Sequence, residues 1–220
     1  MIALYIVADR AIFDEDEAYF SALRHLAPIV GENPGVVVQV RAKGIDPSLR
    51  FSFVARASET LGGEIAGAFL NAATGDALRC GFGGVHWPEA EIPVEPYMAL
   101  PTGASVHSLR ALRQAEAAGV NFAVFGPVFD AGSKPVKGVG LSALRALASA
   151  ATVPLLAIGG VTPERVEACL LAGASGVAAV TGILRTRDPA AAVARYVTAL
   201  HEAQRLVAAQ PALSKPSRTS

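Results

Sequence analysis

Charge and aromatic side chains are both scarce in this 220-residue chain, at 17% and 6% of residues. Lys plus Arg and Asp plus Glu each number 19, so the formal net charge is zero. No basic surplus points to a nucleic acid or an anionic membrane surface. Long apolar runs are also missing. The stretch from Ala146 to Val161 is broken by Pro154 and the Gly159-Gly160 pair, short of what a bilayer span needs. Met1 to Ala8 has neither a basic start nor a cleavage site, so it reads as a first strand rather than a signal peptide. Cysteine occurs only at Cys80 and Cys169, which excludes a disulfide framework; both thiols are expected to stay reduced. There is no CxxC, HExxH, GxSxG or Walker loop, and no GxGxxG follows the first strand. A cytoplasmic enzyme with a small-molecule partner is the default class, and homo-oligomerisation is left open.

What is present is Ala, Val, Leu and glycine. The chain is 52% hydrophobic with 21 glycines, which suits helices packed closely on buried parallel strands. The most informative stretch is Leu155 to Leu184. It reads as a short strand, a Gly159-Gly160 turn and a helix opened by Thr162-Pro163 and stopped by Gly173. A strand from Gly176 to Val180 and a Thr181-Gly182 turn follow. Adjacent strand-to-turn junctions with free backbone N–H groups suit a phosphate. The loops after strands seven and eight of a (βα)8 barrel do this.

The rest of the chain fits that frame. Strands are expected at Ile2 to Ala8, Val36 to Val40, Ile65 to Leu70, Gly84 to His86, around Met98 to Ser105, and Phe122 to Phe125. Helices are expected from the acidic turn at Asp14 to near Pro28, and at Pro47 to Leu61, Ala77 to Arg79, Ser108 to Ala118, Leu141 to Ala150 and Pro189 to Ala208. Pro88, Pro93, Pro96 and Pro101 argue against a full helix before strand five. Gly119 and Gly173, 54 residues apart, each follow an alanine and precede a short strand, as two strand–helix units would place them. The expectation is a single (βα)8 barrel over residues 1–208, with a disordered tail over 209–220.

In such a barrel the chemistry sits at the C-terminal ends of the strands. Arg41 and Lys43 end strand two, Asn71 strand three, His86 strand four, and Ser105 with His107 strand five. Lys134 and Lys137 lie in the loop after strand six. Cations gathered at one mouth of a neutral protein point to an anionic ligand. Each residue also has a plainer role open to it. The cations could be solvated, the histidines rim or core residues, Asn71 a helix cap and Ser105 a turn residue.

These motifs resemble the thiamine phosphate synthase and TenI family. Gln39-Val40-Arg41-Ala42-Lys43 is similar to its Gln-x-Arg-Glu-Lys, and Gly84-Val85-His86 to its Gly-Val-His. Ser105-Val106-His107-Ser108, Gly126-Pro127-Val128-Phe129 and Ala157-Ile158-Gly159-Gly160 match further motifs, and Ala179-Val180-Thr181-Gly182-Ile183 resembles the last. The resemblance implies a thiazole phosphate on the loops of Gly159, Gly160, Val180, Thr181 and Gly182. It also implies a pyrimidine pyrophosphate against Gln39, Arg41, Lys43, Asn71, Ser105 and Lys134.

The departures shape the expected reaction. The family's Asn-Asp after strand three is Asn71-Ala72, and its second metal aspartate corresponds to Glu91. The leading expectation is therefore a TenI-like carboxythiazole phosphate isomerase, with His107, His86 and Lys134 as candidate catalytic groups. The family's shuttling histidine position is Pro127. The alternatives are a synthase holding Mg²⁺ through Glu91 with Asp76 or Asp130, and a non-catalytic sensor of thiazole or thiamine phosphate. Mg²⁺ is expected only for the synthase; no other cofactor is implied.

Overall fold

The computed structural model describes residues 1–71, 74–130 and 137–209. Eight parallel strands close into a barrel in chain order. They are β1 Leu4–Asp9, β2 Val36–Arg41, β3 Ala68–Asn71, β4 Gly84–Trp87, β5 Thr102–Val106, β6 Phe122–Phe125, β7 Leu155–Ala157 and β8 Gly176–Ala179. β8 returns to β1 with Ile6 opposite Ala179. The helices are α1 Asp16–Glu32, α2 Pro47–Leu61, α3 Thr74–Arg79, α4 Leu109–Ala117, α5 Gly140–Ala150, α6 Val166–Leu171, α7 Thr181–Leu184 and α8 Pro189–Ala209. Between β4 and β5 the only helical segment is a 3₁₀ turn at Glu89–Glu91, as the proline spacing predicts.

Alternation along each strand separates two cores. Outward residues such as Leu4, Ile6, Val38, Leu70 and Ala104 pack under the helices. Inward residues Tyr5, Val37, Phe69, Phe122, Val124 and Leu156 fill the barrel. The two phenylalanines explain two glycines. A Cβ on Gly84 would come within 2.3 Å of the Phe69 ring, and one on Gly103 equally close to the Phe122 ring. Register places each glycine directly opposite its ring-bearing partner. The floor of the barrel is therefore a plug of aromatic rings, on which the polar mouth rests.

Several boundaries differ from expectation. α1 continues past Pro28 to Glu32. Pro28 forfeits one main-chain hydrogen bond, but burial of Leu26 and Val30 holds the last turns on the barrel. Asn33 donates its side-chain amide to the Ile29 carbonyl (2.9 Å), satisfying one open acceptor. Residues Gly62–Gly67 form a 3₁₀ segment, so β3 begins at Ala68 rather than Ile65. β5 begins at Thr102; Met98 is 84% exposed and has no place in a buried strand. Thr162 makes no side-chain cap bond, and a 3₁₀ turn at Pro163–Arg165 precedes α6. Thr181-Gly182 is not an isolated turn but the opening of α7. Residues 210–220 lie outside the described residues, as does Lys134.

Candidate active site

The strands aim a ring of polar side chains into the mouth. Period-two alternation puts Tyr5, Val7 and Asp9 on the inner face of β1, and Val37, Gln39 and Arg41 on the inner face of β2. Asp9 and Arg41 are register partners, and their side chains form an ion pair. Asp9 is 6% exposed and also accepts from the Ala11 amide (3.1 Å), so its carboxylate is fixed twice. Gln39 is buried one step below Arg41. Lys43 lies exposed in the turn after β2, off the strand end.

Asn71 and His86 are partners across β3 and β4. The Asn71 amide donates to the His86 carbonyl (3.0 Å), so it ties two strand tops together. Arg50 of α2 reaches the Asn71 carbonyl at 3.4 Å. The His86 imidazole is inside the barrel, 2% exposed. Nδ1 lies 3.3 Å from the Tyr5 hydroxyl and Nε2 lies 2.9 Å from the Ser105 hydroxyl. Burial, with the nearby Arg41 charge, pushes its pKa down to about 3, so the ring is neutral at physiological pH.

His107 is elsewhere. Its side chain is 61% exposed and its Nδ1 lies 2.7 Å from Glu89 Oε2. The same oxygen accepts from the His107 amide at 2.7 Å. Ser108 caps α4 through the Ala111 amide (3.1 Å). Glu91 lies exposed on the same 3₁₀ turn as Glu89. Among the described residues no three His, Cys, Asp or Glu side chains converge on a point that could hold a metal. Asp130 accepts from the Gly138 amide (2.7 Å), and Asp76 sits in the first turn of α3. Ala72 and Glu91 stand where the resemblance has its two metal aspartates, so that pair of short carboxylates is not present in this chain.

Opposite the cationic side lie two backbone loops. Gly159 and Gly160 have φ of 93° and 61°, in the left-handed region that favours glycine. A Cβ on Gly159 would meet Pro127 at 2.4 Å, and one on Gly160 would meet the Asp130 carbonyl oxygen at 2.6 Å. The β6 and β7 loops lie this close because the Val128 and Phe129 amides donate to the Ile158 and Gly159 carbonyls (2.8 and 3.0 Å). Arg165 donates to the Gly160 carbonyl (2.6 Å) and stacks over Phe129. Val180 precedes α7, whose first amides, at Thr181 and Gly182, have no partner within the helix. Tyr196 of α8 supports both loops. Its hydroxyl donates to the Val161 carbonyl (2.8 Å) and would lie 2.6 Å from a Cβ on Gly182.

The structure thus brings Gln39, Arg41, Asn71, His86 and Ser105 to one side of the mouth and the Gly160 and Thr181 backbones to the other. It leaves His107, Lys43 and Glu91 exposed. Tyr5, Asp9, Glu89 and Tyr196 are added. Asp9 was open to detection from the strand-end rule that selects Arg41, and Tyr5 from the period-two pattern that leads to Asp9. Nothing local in the sequence marks Glu89 or Tyr196, because each acts on a residue far away in the chain.

The family described as thiamine monophosphate synthase matches residues 4–183. The thiamine-phosphate synthase of Koribacter versatilis is 31% identical over 207 residues, covering 90% of this chain and 95% of the relative. That of Pyrococcus horikoshii is 30% identical over 195 residues, covering 85% and 89%. With the Methanoculleus marisnigri synthase identity rises to 37%, but the match spans only 58% of that protein and 53% of this chain. In structure, the chain is similar to the thiamine phosphate pyrophosphorylase of Pyrococcus furiosus. The TM-score is 0.73 at 24% identity, covering 92% and 96% of the two chains, which speaks for the fold.

Proposed function

From the premise that the chain belongs to the thiamine monophosphate synthase family, we propose that it joins a hydroxymethylpyrimidine pyrophosphate to a thiazole phosphate, forming thiamine phosphate and pyrophosphate. The observation that carries this reading is the division of the mouth. One side is built of backbone amides and glycines, the other of an anchored Arg41 with Ser105 and Asn71. A reaction between two phosphorylated molecules needs two anion sites facing each other.

In the reaction the bond from the pyrimidine methylene carbon to the pyrophosphate oxygen breaks, and its electron pair leaves with pyrophosphate. The thiazole nitrogen then donates its lone pair to the cationic carbon. The protein's work is to hold charge and distance. Arg41, oriented by Asp9, offers a planar fork to the pyrophosphate. Ser105 supplies a hydroxyl beside it. The Gly160 and Thr181 amides hold the thiazole phosphate, so that the nitrogen approaches from the far side.

The synthase alternative is better supported than the isomerase that led the expectations from the sequence. The full-length relatives above are named synthases. Moving a proton also needs a group that titrates near neutrality. His86 stays neutral down to about pH 3, and Pro127 stands where the family's shuttling histidine would be.

The test is to incubate the protein with both phosphorylated substrates, with and without Mg²⁺, and follow thiamine phosphate and pyrophosphate. A parallel sample holds the carboxythiazole phosphate alone. Stoichiometric release of the two products supports the synthase. Isomerisation without coupling overturns it, and binding of either substrate without turnover makes the chain a sensor.

A further inference from the structure

Inside the barrel, below the mouth, runs a chain of hydrogen bonds from Tyr5 through His86 to Ser105. Tyr5 is fully buried against the Phe69 and Phe122 rings, at centroid distances of 5.9 and 5.2 Å. Among the described residues its hydroxyl has one hydrogen-bond partner, His86 Nδ1. A neutral imidazole carries one proton, so one nitrogen donates and the other accepts. If Nδ1 carried the proton, the phenol would accept it, and its own O–H would face aromatic rings without a partner. A buried donor left unpaired is the costly arrangement. The satisfied arrangement has the Tyr5 O–H donating to Nδ1 and Nε2–H donating to Ser105 Oγ. One of the two Ser105 lone pairs is then taken from below, so the hydroxyl proton is not spent on His86. That proton is left to point into the mouth.

We propose that Tyr5 is a positioning residue that acts through His86, fixing the Ser105 hydroxyl as a donor toward an anionic oxygen in the barrel mouth. A hydroxyl in water accepts or donates equally well. Here the direction is set by a phenol two residues back in the chain of hydrogen bonds, where no ligand can reach it. A ligand oxygen that only accepts, such as that of a phosphate or pyrophosphate, suits this arrangement. A ligand group that only donates, such as an amide N–H, finds a single remaining Ser105 lone pair and leaves the serine proton without a partner. The identity of the anion as a pyrophosphate rests on the proposed function; the direction of the chain does not.

The test begins with the ligand-free wild-type protein near neutral pH. Proton–nitrogen correlation spectra of the nitrogen-15-labelled protein, with His86 assigned by comparison with His86→Gln, report which ring nitrogen is protonated. The expected result is the Nε2–H tautomer; the Nδ1–H tautomer or an imidazolium overturns the proposal. Titration with inorganic pyrophosphate follows. Tyr5→Phe and Ser105→Ala should each weaken binding about tenfold, the size of one lost hydrogen bond to a charged group. Adding Tyr5→Phe to Ser105→Ala should weaken it no further. Independent, additive losses overturn the proposal, because Tyr5 would then not act through Ser105. The Nδ1–H tautomer in a protein that binds pyrophosphate defeats this inference and leaves the function standing. The Nε2–H tautomer in a protein indifferent to pyrophosphate defeats the anion reading and with it the proposed synthase.

Discussion

Asp9 and Arg41 stand opposite each other in the β1–β2 register and pair through their side chains at the barrel mouth. The pair orients the guanidinium rather than simply stabilising the fold, since Arg41 keeps about a quarter of its side chain in solvent (24%). Asp9→Asn retains an oxygen for the Ala11 amide and removes the charge that holds Arg41. The expected outcome is a KM for the pyrophosphate-bearing substrate raised about tenfold, worth about 1.4 kcal/mol, with the KM for thiazole phosphate unchanged. Steady-state kinetics with each substrate varied in turn check this. Equal changes in both would assign Asp9 to the fold.

His86 makes the folded state sensitive to acid. Its pKa is depressed to about 3 in the folded protein, against about 6.5 for an unfolded histidine. Between those values the unfolded chain binds a proton that the folded one does not, so stability rises with pH in that window and falls as pH drops. The slope is about 1.4 kcal/mol per pH unit. Urea unfolding of wild type and His86→Asn across this range should show the difference between them shrinking toward acid. A constant difference would mean that His86 is charged in the folded barrel.

The glycines of the β7 loop were readable as a phosphate turn, but the reason for each was not. Gly160→Ala places a Cβ 2.6 Å from the Asp130 carbonyl oxygen and forces φ of 61° on an L-residue. The loop must move, and a stability loss on the order of 1–3 kcal/mol is expected from the strain alone. Weaker binding of thiazole phosphate should accompany it. Thermal melts with and without that ligand check both effects: the variant should melt lower and gain less from the ligand. An equal gain would place the phosphate elsewhere.

Tyr196 tests whether α8 supports the loops. Tyr196→Phe leaves the Val161 carbonyl without its donor at 2.8 Å, a cost of about 1–2 kcal/mol at a buried site. Chemical denaturation should register that loss, and thiazole phosphate should bind more weakly. A variant as stable as wild type would show that water replaces the hydroxyl.

Most of the barrel was legible because its signals are local. Pro47 to Leu61 and Phe122 to Phe125 are found where apolar spacing and flanking turns place them. Boundaries slipped where tertiary burial overrides a breaker, as at Pro28, or where an apolar residue is left in solvent, as at Met98. The site was legible at its strand ends, because alternation and the mouth rule suffice for Arg41, Asn71 and Ser105. The state of His86 was not. A histidine at a strand end suggests a proton shuttle, and only its place against the Tyr5 and Phe122 rings, 2% exposed, shows that it is buried. The partnership of Glu89 with His107 spans 18 residues and depends on how the segment after β4 folds back over the start of α4.

The most direct measurement is a crystal structure of the protein with thiamine phosphate and pyrophosphate bound. The expected result is the thiamine phosphate group within hydrogen-bond distance of the Gly160 and Thr181 amides, and pyrophosphate against Arg41 and the Ser105 hydroxyl. Both anions on one side of the mouth, or a phosphate bound away from the Gly159-Gly160 loop, would contradict the two-sided site on which the synthase reading depends.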